Sequence, residues 1–259
     1  MTQPIQRPLI LISNDDGYCS YGLKQLIDFV RPLGDIIVVA PDGMRSGMSM
    51  AFTSQSPLRM WTIREEEGLL IKACTGTPVD CIKMALEVVV DRRPDVVLAG
   101  INHGDNSGIN CHYSGTVGIV MEACMKNIPA IAFSSCYIDE KPPLEAMRPY
   151  VEKLVAHAIH HGMKPHTCLN VNFPALPEYK GIRSRRMGYA QWINEVDERQ
   201  HPRGWTYYWM VGTHVPETGN GTSDVESLKE GYATITPLHL DLTDYDTLNE
   251  LLDCKDLNQ

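Results

Sequence analysis

Asn14-Asp15-Asp16-Gly17 places two adjacent carboxylates at the end of an apolar run, Pro8-Leu9-Ile10-Leu11-Ile12-Ser13. Two carboxylates about 4 Å apart repel by roughly 4 kcal/mol at an effective dielectric near 20. Such a pair is best tolerated beside a cation, and a hard divalent metal with oxygen ligands is the first choice. Two more loops follow apolar runs. One is Pro41-Asp42-Gly43-Met44-Arg45-Ser46-Gly47-Met48-Ser49. The other is Gly100-Ile101-Asn102-His103-Gly104-Asp105-Asn106-Ser107-Gly108, continuing to Tyr113-Ser114-Gly115-Thr116. Together the loops offer carboxylates, a hydroxyl, a side-chain amide and several glycines. That oxygen set suits Mg²⁺ or Mn²⁺ and is poor for copper or structural zinc. Ser114-Gly115-Thr116 opens a predicted helix, whose first N–H groups are unpaired and carry positive dipole character. A phosphate is favoured there, and a plain helix cap is the competing reading. His103 stands where an acid or base is useful, but a lone loop histidine is also ordinary.

The elements that must position these loops alternate. The pattern predicts strands at Leu9–Ser13, Asp35–Ala40, Asp95–Ala99, Ala130–Phe133 and Leu169–Val171. Helices are predicted over Tyr21–Arg31, Pro78–Val90, Thr116–Lys126 and Leu144–His161, with extended segments at Met50–Thr62 and Leu69–Ala73. This alternation predicts an α/β fold, a mainly parallel sheet with helices on both faces. In open sheets of this kind ligands bind outside the carboxyl ends of the strands, where all three loops converge. After Pro174 the texture changes. Arg183, Arg185, Arg186, Arg199 and Arg203 mix with Trp192, Trp205, Tyr207, Tyr208 and Trp209, which reads as an extended hairpin arm with the composition of a protein interface; ordinary surface and base stacking on the substrate are the competing readings. A short helix at Ser223–Glu230, a strand at Gly231–Pro237 and an acidic, polar tail complete the chain. The expected division is a catalytic core over 1–180 and a C-terminal arm, helix and strand over 181–259.

The chain has 259 residues, long enough to bury a large core in one main domain. Its net charge of −9 argues against a nucleic-acid polymer as partner, because such binding needs a basic face. It does not argue against a small phosphorylated substrate beside a bound metal. The eight cysteines include no Cys-x-x-Cys pair and most lie in or beside apolar segments, as expected of reduced thiols in a cytosolic core. No apolar run approaches a membrane span, and Met1–Arg7 lacks the apolar stretch of a secretory leader, so a cytoplasmic enzyme is expected. Dinucleotide, Walker A and nucleophile-elbow fingerprints are all missing.

The motifs in order resemble the survival protein SurE family, metal-dependent nucleotidases and phosphatases acting on nucleoside monophosphates. They are Asn14–Gly17, Ala40-Pro41-Asp42 with Arg45-Ser46-Gly47, Gly76-Thr77-Pro78 with Asp80-Cys81, Gly100-Ile101-Asn102 with Gly104 and Asn106, and Tyr113–Thr116. The match continues through Asn170-Val171-Asn172-Phe173-Pro174, Tyr207-Tyr208-Trp209, and Gly231-Tyr232 with Thr236-Pro237-Leu238. The resemblance implies a Rossmann-like three-layer α/β/α sandwich. It implies one divalent ion (Mg²⁺ or Mn²⁺) held by Asp15, Asp16, Ser46 and Asn102, and a phosphate cradle around Asn106, Ser114, Gly115 and Thr116. It also implies a homodimer or homotetramer formed by exchange of the arm. The expected reaction is hydrolysis of nucleoside 5′-monophosphates, with 3′-nucleotides as further substrates. Asp15 and Asp16 are the expected catalytic residues. Two nucleophiles stay open, a metal-activated water and Asp16 itself. One departure stands out: where the family has a small residue followed by Ala-Pro-Gly, this chain has Tyr18-Cys19-Ser20-Tyr21-Gly22. A haloacid-dehalogenase-like phosphatase is the first alternative, but it wants Asp-x-Asp rather than adjacent aspartates. A receiver-like nucleotide sensor is the second. It needs a phosphoacceptor Asp after a later strand, where Asp95–Ala99 instead runs into Gly100-Ile101-Asn102.

Overall fold

The computed structural model describes residues 6–216, 219 and 221–254. Residues 1–5, read above for a leader, and 255–259, the end of the polar tail, lie outside the described residues. The strands are β1 (Leu9–Ser13), β2 (Asp35–Pro41), β3 (Met60–Glu66), β4 (Leu69–Cys74), β5 (Val96–His103), β6 (Ala130–Ser135), β7 (Thr167–Phe173), β8 (Ile182–Ser184), β9 (Ala190–Ile193), β10 (Val196–Gln200), β11 (Thr206–Met210), β12 (Thr213–Pro216) and β13 (Ala233–His239). The helices are α1 (Tyr21–Val30), α2 (Pro78–Met84), α3 (Gly115–Met125), α4 (Arg148–His161), α5 (Asp224–Lys229) and α6 (Tyr245–Asp253).

Nine strands form one sheet in the order β3-β4-β2-β1-β5-β6-β7-β13-β8. The run from β4 to β7 is parallel, while β3 and β13 pair antiparallel with β4 and β7. The central strands are apolar on both faces because helices cover both. Along β1, Ile10 and Ile12 join Leu23 and Phe29 of α1 and Val151 and Val155 of α4. Leu11 points the other way, among Ile82 of α2 and Ile119 and Val120 of α3. The period of two thus sends alternate residues into two separate cores, giving the α/β/α sandwich. Phe29, Phe133 and Phe173 are among the largest fully buried side chains, each worth about 1.5–3 kcal/mol of burial.

Three segments differ from expectation. Residues 50–59 carry no regular structure, and the strand read within Met50–Thr62 starts only at Met60. That stretch is mostly exposed and ties back through Thr53 to α2, so its polar groups are satisfied by side chains rather than by a ladder. The strand expected to stop at Ala99 runs on to His103. Its pairing with β6 shifts between Ala99 and Asn102, and Gly100 takes φ +121° there, with room for no side chain against the Phe133 carbonyl. The loop that follows contains a 3₁₀ turn at Gly108–His112. Third, part of the polar tail forms α6, capped by Asp244, with Leu248, Leu251 and Leu252 exposed.

The segment after Pro174 contains hairpins as read from the sequence: β10 pairs with β11, and β9 with β12. The same segment also sends β13 and β8 into the main sheet. Among the described residues no helix is long and apolar enough to cross a membrane.

Candidate metal and phosphate site

The end of β1 is held by Asn14, whose side-chain amide donates to Gly17 O (3.0 Å) and Ser20 Oγ (2.8 Å). Ser20 also caps α1 by accepting from the Leu23 N–H. Where the family pattern places proline at the first helical position, this chain has Tyr21. The departure around Tyr18–Gly22 therefore keeps the turn through a side-chain cap. Gly22 has to stay: a Cβ there would lie 1.9 Å from the Ile101 carbonyl oxygen. The second loop is stitched on by backbone bonds from Arg45 N to Asp15 O (2.7 Å) and from Tyr18 N to Pro41 O (2.9 Å).

Asp15 is buried, with 4% of its surface exposed, against the first turn of α3. The Thr116 hydroxyl donates to Asp15 Oδ1. Gly115 permits this approach, since a Cβ would stand 3.0 Å from the Asp15 Cβ. Burial pushes the Asp15 carboxyl up to about 6, the Asp16 charge adds to the rise, and the Thr116 donors oppose it. Asp16 is also raised by burial, with His103 pulling the other way. The His103 backbone N–H reaches Asp16 Oδ2 at 3.4 Å. Asn102 spends its amide N–H groups on the carbonyls of His103 (3.1 Å) and Gly104 (2.9 Å). That leaves Oδ1 3.5 Å from Thr116 Oγ1, the hydroxyl bound to Asp15. Thr116 has one hydroxyl proton and Asp15 is its closer partner, so Asn102 Oδ1 retains accepting capacity.

Ser46 lies on the exposed second loop and lines the same cleft as Asp15 and Asn102, a cavity of about 340 Å³. Its loop is anchored by Ser49, whose N–H donates to Tyr113 O (3.0 Å) and whose hydroxyl donates to His112 O (2.6 Å). The donor chemistry fits a hard divalent cation: two carboxylates short of donors, an amide oxygen held in place and a nearby hydroxyl. Among the described residues no group of three or more His, Cys, Asp or Glu is placed to hold a metal.

On the phosphate side, Ser114 caps α3 by accepting from Val117 N (3.1 Å) and lines the cleft. Gly115 gives the backbone close approach. Thr116, expected among the phosphate contacts, is fully buried and turned onto Asp15. Asn106 also lines the cleft, but its donors are partly spent. Its N–H goes to Asn172 Oδ1 (2.8 Å) and its amide to Ser134 Oγ (2.8 Å), while Asn170 donates to its carbonyl (2.8 Å). Sequence reasoning quoted Asn170 and Asn172 among its motifs but missed their role as a brace on Asn106. Its signal was two asparagines spaced by two on an otherwise apolar strand, hence on one face. Asp224 was missed as well. It accepts from Gly108 N (3.0 Å), Gly188 N (2.8 Å) and Thr236 Oγ1 (3.3 Å), tying the third loop to the C-terminal segment. His103 lines the cleft with Nε2 buried and unpartnered among the described residues. Trp192, read as part of an interface, lines the cleft too. A larger groove of about 540 Å³ lies along α1 and β3–β4 and contains none of the expected site residues.

A sequence model of the family described as survival protein SurE matches residues 10–194. The chain is 47% identical over 249 residues to a 5′-nucleotidase SurE from Phocaeicola vulgatus, covering 95% of this chain and 96% of that one. It is 44% identical over 247 residues to a 5′-nucleotidase SurE from Bacteroides thetaiotaomicron, covering 95% of each. The crystal structure of a SurE protein from Aquifex aeolicus superposes with a TM-score of 0.82 at 35% identity, covering 97% of this chain and all of that one. With its sheet order, its three converging loops and these relatives, the chain belongs to the SurE family.

Proposed function

We propose that this chain is a divalent-metal-dependent 5′-nucleotidase, hydrolysing nucleoside monophosphates to nucleoside and phosphate, with 3′-nucleotides as further substrates. Relatives sharing 44–47% identity over nearly their whole length carry the name 5′-nucleotidase. The observation that carries the reading is the buried Asp15 beside Asp16, short of donors at the start of α3, where the Thr116 hydroxyl lies between it and the Asn102 oxygen.

Asp15, Asp16, Ser46 and Asn102 would hold one Mg²⁺ or Mn²⁺ ion. Bound there, the cation supplies Lewis acidity toward a phosphoryl oxygen and the attacking water. Thr116 orients Asp15 and opposes its protonation. Ser114 and the first turn of α3 present a positive helix end to the remaining phosphoryl oxygens, whose charge persists through the transition state. Asn106, braced by Asn170, Asn172 and Ser134, borders the same space. The exposed aromatic arm of residues 196–210 serves self-association, giving a homodimer or homotetramer in the cytoplasm. It belongs to the arm, helix and strand stretch over 181–259, which follows the core over 1–180 and adds β13 and β8 to its sheet.

The deciding experiment is phosphate release from a panel of nucleoside monophosphates after dialysis against chelator. Activity that returns with Mn²⁺ or Mg²⁺ supports the reading, and full activity in chelator sinks it. Trapping an aspartyl-phosphate at Asp16 would replace water with the carboxylate as nucleophile.

A further inference from the structure

The lining of the cleft mixes two kinds of side chain. Most are polar, Asp15, Asn102 and Ser114 among them. Two are aromatic: Trp192, from β9, and Tyr113, which is 62% exposed. A phosphate and its cation have no use for the aromatic rings.

Trp192 is unusually well fixed for a residue on an arm. Its indole N–H donates to Asn110 Oδ1 at 2.8 Å, so its polar edge is spent on the protein. The His214 ring packs against it, centroids 5.1 Å apart and tilted 56°. Gly212 comes so close that a Cβ there would stand 2.8 Å from Trp192 Cε3. Three contacts thus hold one ring orientation while the ring still borders the cleft. A rigid aromatic surface binds at low entropic cost because nothing has to be ordered on contact. We propose that Trp192 is the stacking platform for the nucleobase, placing the base against the arm while the phosphate lies at α3. This rests on the nucleotidase reading and adds to it a subsite and a preference. Stacking tolerates every base because each has a π face, and it favours purines over pyrimidines through their larger area.

The test compares adenosine 5′-monophosphate with ribose 5-phosphate, the same ester without its base, in the metal-loaded protein. In Trp192→Ala the ratio of kcat/KM for the nucleotide over that for ribose 5-phosphate should fall about tenfold, carried by KM for the nucleotide. Trp192→Phe, which keeps a ring, should recover most of the ratio. A second readout needs neither metal nor turnover: adenosine alone should quench tryptophan emission in the parent protein, and that quench should vanish in Trp192→Phe. Equal losses for both substrates would mean a merely structural role and overturn the proposal, as would an unchanged ratio. If the parent protein does not prefer the nucleotide at all, the nucleotidase reading itself fails. If it does prefer the nucleotide and the ratio survives the substitution, only the stacking platform fails.

Discussion

Asp15 and Asp80 are buried to nearly the same extent, each beside the first turn of a helix on one face of the sheet, yet their surroundings differ. Asp80 closes a capping box at the start of α2. It accepts from Thr77 N (2.9 Å), Thr53 N (3.0 Å) and Thr53 Oγ1 (2.6 Å). Burial would raise its carboxyl, but these donors hold it below the usual carboxylate range. Asp15 has Thr116 for a partner and Asp16 for a neighbour, and burial wins. Donor count separates the two roles. A carboxylate saturated by the protein belongs to the scaffold. One left short, next to another of its kind, takes up a proton or a cation.

The largest effect should come from Asp15→Asn, which lowers nucleotide hydrolysis on the order of a thousandfold or more. The substitution keeps the shape of the site, so circular dichroism should be unchanged. Near-normal turnover would break the contrast, because Asp15 would then be scaffold after all.

The same variant should be more stable than the parent when no divalent cation is present. The Asp15 carboxyl rises from 3.8 to about 6 on folding. Its contribution is therefore fully present below pH 3.8 and lost as pH rises through about 6. At pH 7.5 the loss approaches roughly 3 kcal/mol, since each tenfold change in proton affinity corresponds to about 1.4 kcal/mol. Urea melts of the metal-free proteins at pH 4 and 7.5 should show the variant gaining on the parent at the higher pH. Added Mn²⁺ should raise the parent's Tm and leave the variant's in place. Asp80 carries the opposite sign: its carboxyl is lowered, so its contribution is present above pH 3.8 and is lost as pH falls through its folded value.

Asp80→Ala should cost about 2–3 kcal/mol by stranding the Thr53 and Thr77 donors, with kcat per folded molecule kept within a few-fold. A thousandfold loss of kcat there would erase the distinction. The smallest effect belongs to Ser20→Ala. Removing that cap costs about 1 kcal/mol and frees the Asn14 amide from one of its two acceptors.

The central strands were legible because β1, β2 and β5 are continuous apolar runs, and both loops beside Asp15 follow from where those runs end. The last residues of β5 were not. Gly100 breaks the apolar pattern, and only pairing with Ser134 and Ser135 shows that Asn102 and His103 still lie on a strand. The bond from Thr116 to Asp15 was out of reach for a related reason. The position of Thr116 at a helix start is local information, whereas the carboxylate it serves lies 101 residues away. Trp192 was hidden by its neighbours. Composition groups it with the exposed aromatics of β11, whereas its bond to Asn110, 82 residues earlier, sets it apart from them. α6 escaped although Leu248, Leu251 and Leu252 stand at helical spacing, because the acidic and polar residues around them make the segment read as tail.

The place of β13 has a consequence for how this chain leaves the ribosome. β7 is finished at Phe173, but its outer neighbour in the sheet does not begin until Ala233. β8 is made earlier, yet it reaches the sheet only through β13. During synthesis the β7 edge therefore stays open for about sixty further residues, several seconds at common elongation rates. An open edge invites foreign strands until it is paired. Nascent chains stalled between residues 180 and 232 should accordingly be the ones that chaperones hold longest, and release should come with the last strand rather than with the loops around Asp15.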